Sequence, residues 1–152
     1  MRRGDVDPAR RTRARRRALQ ALYALELSGN PVGQVLAEFA EERDPEKADV
    51  AYFEELVRGV CRERERIDAA LAPVLDRPIA RVDPVERCAL RIGVYELLFR
   101  AELPFKVVID EAVQAARQFG ADYGYAYVNG VLDRLARELR PQETRSVPAR
   151  ED

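Results

Sequence analysis

Residues 83–99 read Asp83-Pro84-Val85-Glu86-Arg87-Cys88-Ala89-Leu90-Arg91-Ile92-Gly93-Val94-Tyr95-Glu96-Leu97-Leu98-Phe99, and their pattern sets the architecture of the whole chain. Asp83 is a helix cap and Pro84 suits the first helical position, where a missing N–H is no loss. Val85, Cys88, Ala89, Ile92, Tyr95 and Phe99 recur at steps of three and four. Leu90, Val94, Leu97 and Leu98 add apolar surface on the flanks. A helix apolar on so many sides has to be surrounded by other helices.

Outward from this segment the same periodicity continues, and no stretch alternates as a half-buried strand would. A first helix is predicted from about Ala9 to Leu27, with Ala14, Ala18, Ala21, Leu22 and Leu25 on one stripe, ended by Ser28-Gly29-Asn30-Pro31. Asn30 is expected to cap a short second helix with Pro31 at its first position, and Val32, Val35, Leu36 and Phe39 as its apolar face. The spacing of Phe53, Leu56, Val57, Val60, Arg64, Ile67, Leu71 and Val74 predicts one long third helix over about 46–75. Residues 76–82 form a joint. After the helix over 84–99, a fifth follows Pro104 and ends near Gly120, and a sixth starts near Asp122 and buries Val128, Val131, Leu132, Leu135 and Leu139. The fold class is all-α: two packed three-helix bundles, with halves at about 9–75 and 83–140. Residues 1–8 and 141–152 lack periodicity and read as a disordered arm and a disordered tail.

The composition narrows the chemistry. The chain of 152 residues has no histidine, which removes the side chain that titrates near neutral pH and the commonest metal ligand. Cys61 and Cys88 lack the spacing of a metal or redox pair and read as buried thiols without a disulfide. No glycine-rich phosphate loop is present. Glu54-Glu55 and Asp110-Glu111 are sequence neighbours that point to different helix faces, so they do not form an acid–base pair. No enzymatic activity, cofactor or metal is therefore expected. With no apolar run long enough for a membrane span and no secretory leader, the expected location is cytoplasmic.

Charge is concentrated rather than balanced. Residues 1–17 carry eight arginines against Asp5 and Asp7, a net +6, while the rest of the chain sums to −7. Arg13, Arg16, Arg17 and Gln20 fall at i, i+3, i+4 and i+7 and share a face, and Arg10, Arg11 and Arg15 widen it where the helix begins. Such a guanidinium ridge suits a phosphate backbone. Near the other end, Tyr123, Tyr125 and Tyr127 interleave with small residues, and an aromatic beside a basic ridge can stack an unpaired base.

Several motifs in order now become recognisable: Arg15-Arg16-Arg17-Ala18-Leu19-Gln20-Ala21-Leu22-Tyr23, Tyr52-Phe53 with Leu56-Val57 and Gly59-Val60, Val85 to Leu97, Val108-Ile109-Asp110-Glu111-Ala112-Val113, and Tyr127-Val128-Asn129-Gly130-Val131-Leu132-Asp133. Together they resemble the NusB family of antitermination proteins over about residues 10–140. The resemblance implies two three-helix halves and an adaptor that binds boxA, a single-stranded element of ribosomal RNA leaders, together with the small-subunit ribosomal protein NusE. That pair would join other Nus factors on RNA polymerase. It also implies RNA contacts at Arg11, Arg13 and Arg15, with Gln20 nearby and Tyr127 as an aromatic platform, and partner contacts at Tyr23, Glu86 and Arg91; the ridge itself adds Arg10 and Arg16 to the expected RNA contacts, and the tyrosine segment adds Tyr123. Glu96 and Asn129 are expected to be structural. The segment Gly124-Tyr125-Ala126 departs from the family in lacking a basic residue before Tyr127, and its extra tyrosines would either stack bases or cover a self-association surface. A homodimer is the alternative assembly.

Overall fold

Helix α1 (Pro8–Ser28) begins where Asp7 accepts the amides of Ala9 and Arg10 at 3.0 and 3.4 Å, with Pro8 at its first position. It ends at Gly29, whose φ of 69° places it in the left-handed region while its N–H closes on Leu25 O. The structure is a computed structural model and describes residues 6–44 and 47–149. Among these residues every regular element is helical. The expected arm over 1–8 lies outside the described residues up to residue 5, and Pro8 already belongs to α1.

Helix α2 (Val32–Glu41) starts one residue later than expected. Pro31 occupies the cap, which makes no side-chain hydrogen bond, and the Asn30 amide is instead donated to Ser28 Oγ at 3.1 Å. The third apolar run also differs from its reading. It forms α3 (Val50–Arg62) and α4 (Arg64–Leu71), followed by a 3₁₀ turn over Ala72–Val74. The backbone ladder does not stop at the break: Glu63 donates its N–H to Gly59 O and accepts the Ile67 N–H, both at 2.9 Å. The kink at Glu63, with φ −100° and ψ 17°, lets α3 lie on α1 while α4 turns to α5. Arg64, the polar member of the apolar stripe, is rotated out to solvent. Pro73, which has no N–H to donate, then tightens the chain into the 3₁₀ turn.

Helix α5 (Pro84–Phe99) is capped by Asp83 and is buried continuously from Cys88 to Leu97. It packs against α1, α3 and α4, and against α6 (Phe105–Phe119) and α7 (Gly124–Leu139). Three of its charged residues, Glu86, Arg91 and Glu96, are consequently buried as well, Arg91 and Glu96 with an opposite charge from another helix, while Arg87 is half-buried against Glu26. Helix α1 likewise contacts α5 and α6 in addition to α2 and α3, so it joins the two halves. At the crossing of α3 and α5 a Cβ on Gly59 would lie 2.4 Å from the Tyr95 ring. That ring is buried, its hydroxyl donates to Glu55 at 3.1 Å, and it packs on Phe99, so it has little room to move. Gly59→Ala is expected to lower stability by about 1–3 kcal/mol through overpacking. Urea unfolding should show this as a lower midpoint with an unchanged slope.

Residues 141–149 are not the loose tail the sequence suggested. Helix α8 (Pro141–Thr144) leaves Thr144 buried, and Glu143 accepts the Phe105 N–H at 2.7 Å, capping α6 from a distance in sequence. Arg140 donates to the carbonyls of Glu96, Leu97 and Arg100 at 3.0–3.3 Å and to that of Leu103, satisfying acceptors at the end of α5. Arg137 collects the carbonyls of Thr144, Val147 and Pro148. Side chain to backbone bonds thus order a segment that has little apolar periodicity of its own.

Candidate RNA interface

The arginines of α1 divide between two faces. Arg13, Arg16, Arg17 and Gln20 line one groove of about 240 Å³, whose other walls are Arg43 and Asp44 beyond α2 and Gln118 and Phe119 at the end of α6. The i, i+3, i+4, i+7 set is therefore brought together as its spacing predicts. Arg17 is braced at the groove's edge: it donates to Phe39 O at 2.9 Å, and its guanidinium lies over the Phe39 and Phe53 rings. Arg16 has its Nε shielded from solvent with no acceptor among the described residues. Gln20 is exposed.

Arg11 and Arg15 fall on the opposite face, and here the phosphate reading has to be corrected. Arg15 is 5% exposed, donating to Glu96 at 2.8 Å and to Glu111 at 2.9 Å. Burial works against its charge, but the two carboxylates and Tyr52 more than offset this, and its pKa lies above the ordinary arginine value. Glu96 also accepts the Tyr52 hydroxyl, and burial holds its own carboxyl above the usual range. Arg11 stacks 4.1 Å over the Tyr52 ring. These two arginines anchor α1 to α3, α5 and α6; Arg15 is closed to RNA. Arg10 is exposed, with its Nε donated to Lys47 O at 2.7 Å.

The tyrosines separate too. Tyr123 is 77% exposed and holds a left-handed φ of 68° at the start of α7. Tyr125 is half-buried beneath Arg117, 4.2 Å from its ring. Both line a cleft with Arg117, Gly120 and Asp122, so the end of α6 is shared between this cleft and the arginine groove. Tyr127 goes elsewhere. Its hydroxyl donates to Asp76 at 2.9 Å and Arg77 lies 4.7 Å over its ring, which ties α7 to the joint between the halves and leaves it poorly placed as a stacking platform. The hydrogen bonds from Arg77 and Tyr127 hold Asp76 down to about 2.

The expected partner residues are mostly interior. Tyr23 is half-buried against the core. Arg91 is 5% exposed and binds both oxygens of Asp68 at 2.9 and 3.0 Å and Glu26 at 3.1 Å, linking α5 to α4 and α1. Glu86 is equally buried and offers no acidic rim to a basic protein. Its carboxylate fills a cradle at Gly120 and Gly124, where added Cβ atoms would lie 2.4 and 2.5 Å from it, and its Oε2 has no hydrogen-bond partner among the described residues. Burial, then the charge of Asp83, raises Glu86 to about 7, against a pull from the Ala121 amide. Arg43, Arg117, Gln118 and Phe119 belong to the two clefts and were not singled out from sequence. The folding of α6 back along α1 brings Gln118 and Phe119 to the groove, the chain beyond α2 brings Arg43, and the turn from α6 into α7 forms the cleft of Arg117.

The fold and groove define a small helical bundle carrying a cationic channel on its first helix. The chain belongs to the NusB family: the family model matches residues 12–137. It is 53% identical over 143 residues to the transcription antitermination protein NusB of Xanthomonas axonopodis pv. citri (strain 306), covering 94% of this chain and 90% of that protein. The NusB of Xylella fastidiosa (strain 9a5c) is 56% identical over 142 residues, with 93% and 90% covered. Among solved structures, T. maritima NusB superposes with a TM-score of 0.76 at 32% identity, over 90% of this chain and 97% of that one. A crystal structure of the antitermination factors NusB and NusE in complex with dsRNA gives 0.73 at 29% identity, over 87% and 99%. No helix among the described residues is long and apolar enough to cross a membrane.

Proposed function

We propose that this protein is a transcription antitermination adaptor that binds the boxA element of ribosomal RNA leaders through the groove of Arg13, Arg16, Arg17 and Gln20. In this reading it acts with NusE, and with other Nus factors on RNA polymerase, making and breaking no covalent bond. The observation that carries it is the groove itself: guanidinium groups at helical spacing converge on one channel rather than dispersing over the surface. Arginine suits that channel because its planar fork pairs bidentately with phosphate oxygens. The relative found with NusE and RNA supports the choice of ligand and partner. Tyr23 is the residue of the expected partner set that keeps some surface, so the NusE contact is drawn around it.

The test is anisotropy titration of a boxA strand and a scrambled strand, each with and without NusE, over a range of salt. Log K for the boxA strand should fall linearly with log salt, at a slope of about −0.7 per phosphate engaged. Replacing Arg13 and Arg16 together by alanine should make the slope shallower by about 1.4. A slope that does not change would remove the groove from the mechanism, and equal affinity for the scrambled strand would remove boxA.

A further inference from the structure

The groove between α1 and α6 contains more than positive charge. Gln20 lines it from α1 and Gln118 from α6. Both are exposed, and neither amide has a hydrogen-bond partner among the described residues. Guanidinium groups are donors only, whereas an amide presents a donor and an acceptor side by side. Two unengaged amides facing a cationic channel are therefore suited to an edge that itself offers both. Half-buried Phe119 adds an apolar surface at the same place, and Arg16 brings a shielded Nε without an acceptor. At about 240 Å³ the groove has room for a planar ring system, being the space of about eight liquid waters. Its two walls are joined rigidly, because Arg15 of α1 binds Glu111 of α6 at 2.9 Å. A site on rigid elements can discriminate, where a loop would only accommodate.

We propose that this groove seats one unpaired nucleobase, adenine, whose two edges are read by the amides of Gln20 and Gln118 while Arg16 takes the neighbouring phosphate. This rests on the RNA reading above and adds base selectivity to it. Adenine sets its amino donor between two ring-nitrogen acceptors, so each of its two edges presents the donor–acceptor pair that an amide complements, whereas cytosine presents an amino donor beside a ring nitrogen on one edge only. Guanine's Hoogsteen edge offers two acceptors and would be read by arginine.

The experiment uses the full chain and short oligouridine strands with one central adenine, one central guanine or no substitution, titrated by anisotropy at two salt concentrations. The wild-type protein should prefer the adenine strand to plain oligouridine by about tenfold or more. Gln20→Ala and Gln118→Ala should each bring the ratio of adenine-strand to oligouridine affinity close to one, whatever either does to the affinity for both strands together. Both positions are exposed, so the variants should fold, and circular dichroism checks it. Equal binding of adenine and uridine strands by the wild type would overturn the proposal, as would a preference that survives either substitution or a preference for guanine. Failure of the wild type to bind any strand would instead remove the RNA reading, and base selectivity with it.

Discussion

Glu96→Ala is expected to lower the unfolding free energy by about 3–5 kcal/mol, the range for removing one member of a buried ion pair. Glu96 is 1% exposed and receives Arg15 from α1 and the Tyr52 hydroxyl from α3. Without it, the Arg15 guanidinium stays buried with only Glu111 for a counter-charge, and the Tyr52 hydroxyl loses its acceptor. The penalty is therefore uncompensated desolvation more than a lost attraction. The double variant Arg15→Met with Glu96→Leu should lose less than Glu96→Ala alone, because both charges leave together. Urea unfolding of the wild type and both variants measures this. A loss below about 1 kcal/mol for Glu96→Ala would mean that the pair is hydrated and does not anchor α1.

The second large effect depends on pH. Glu86 has a folded pKa of about 7 against an ordinary value of 4.5, so the folded protein favours the protonated carboxyl. Its contribution to stability is full below pH 4.5 and is lost as pH rises through 7. The difference corresponds to about 3 kcal/mol across that interval. The group lies 5% exposed in the glycine cradle, and the charge acting on it is that of Asp83 on the same helix cap. Glu86→Gln keeps an oxygen for the Ala121 amide and cannot ionise. Relative to the wild type it should gain stability between pH 5 and pH 7 and level off by pH 8, as measured by urea unfolding at each pH. A constant difference between the two proteins over that range would show that the Glu86 carboxyl is hydrated.

The helices were legible where local chemistry determines them. Asp83-Pro84 and the apolar run behind it gave both the cap and the central place of α5, and Gly29 ended α1 as its sequence suggested. The break at Glu63 was not legible, because the apolar spacing runs through it and the backbone ladder continues; tertiary packing on α1 and α5 makes the kink. The tail over 141–149 was missed for a related reason, since arginine side chains and backbone carbonyls order it without an apolar pattern.

In the site, the spacing of Arg13, Arg16, Arg17 and Gln20 was sufficient to place them together. The misplacement of Arg15 had a readable warning: it stands one turn from Arg11 and next to Ala14 and Ala18, on the side that carries the apolar stripe. Arg91 and Glu86 carried the same warning, because a helix apolar all round leaves no face for a charge to stay outside. Both are 5% exposed within the fold. Tyr127 could not have been assigned from sequence, because its partners Asp76 and Arg77 come from the joint.

The ion pairs that seat α1 also impose an order on biosynthesis. Arg15 is separated from Glu96 and Glu111 by 81 and 96 residues. At about 5–20 residues per second, the ribosome makes those partners several seconds or more after α1 itself. During that interval no carboxylate holds Arg15 in place, and the wall of the groove formed by α6 does not exist. The nascent arginine segment is then a positive charge open to any polyanion nearby, and it becomes a shaped channel only after Gln118 and Phe119 have been added.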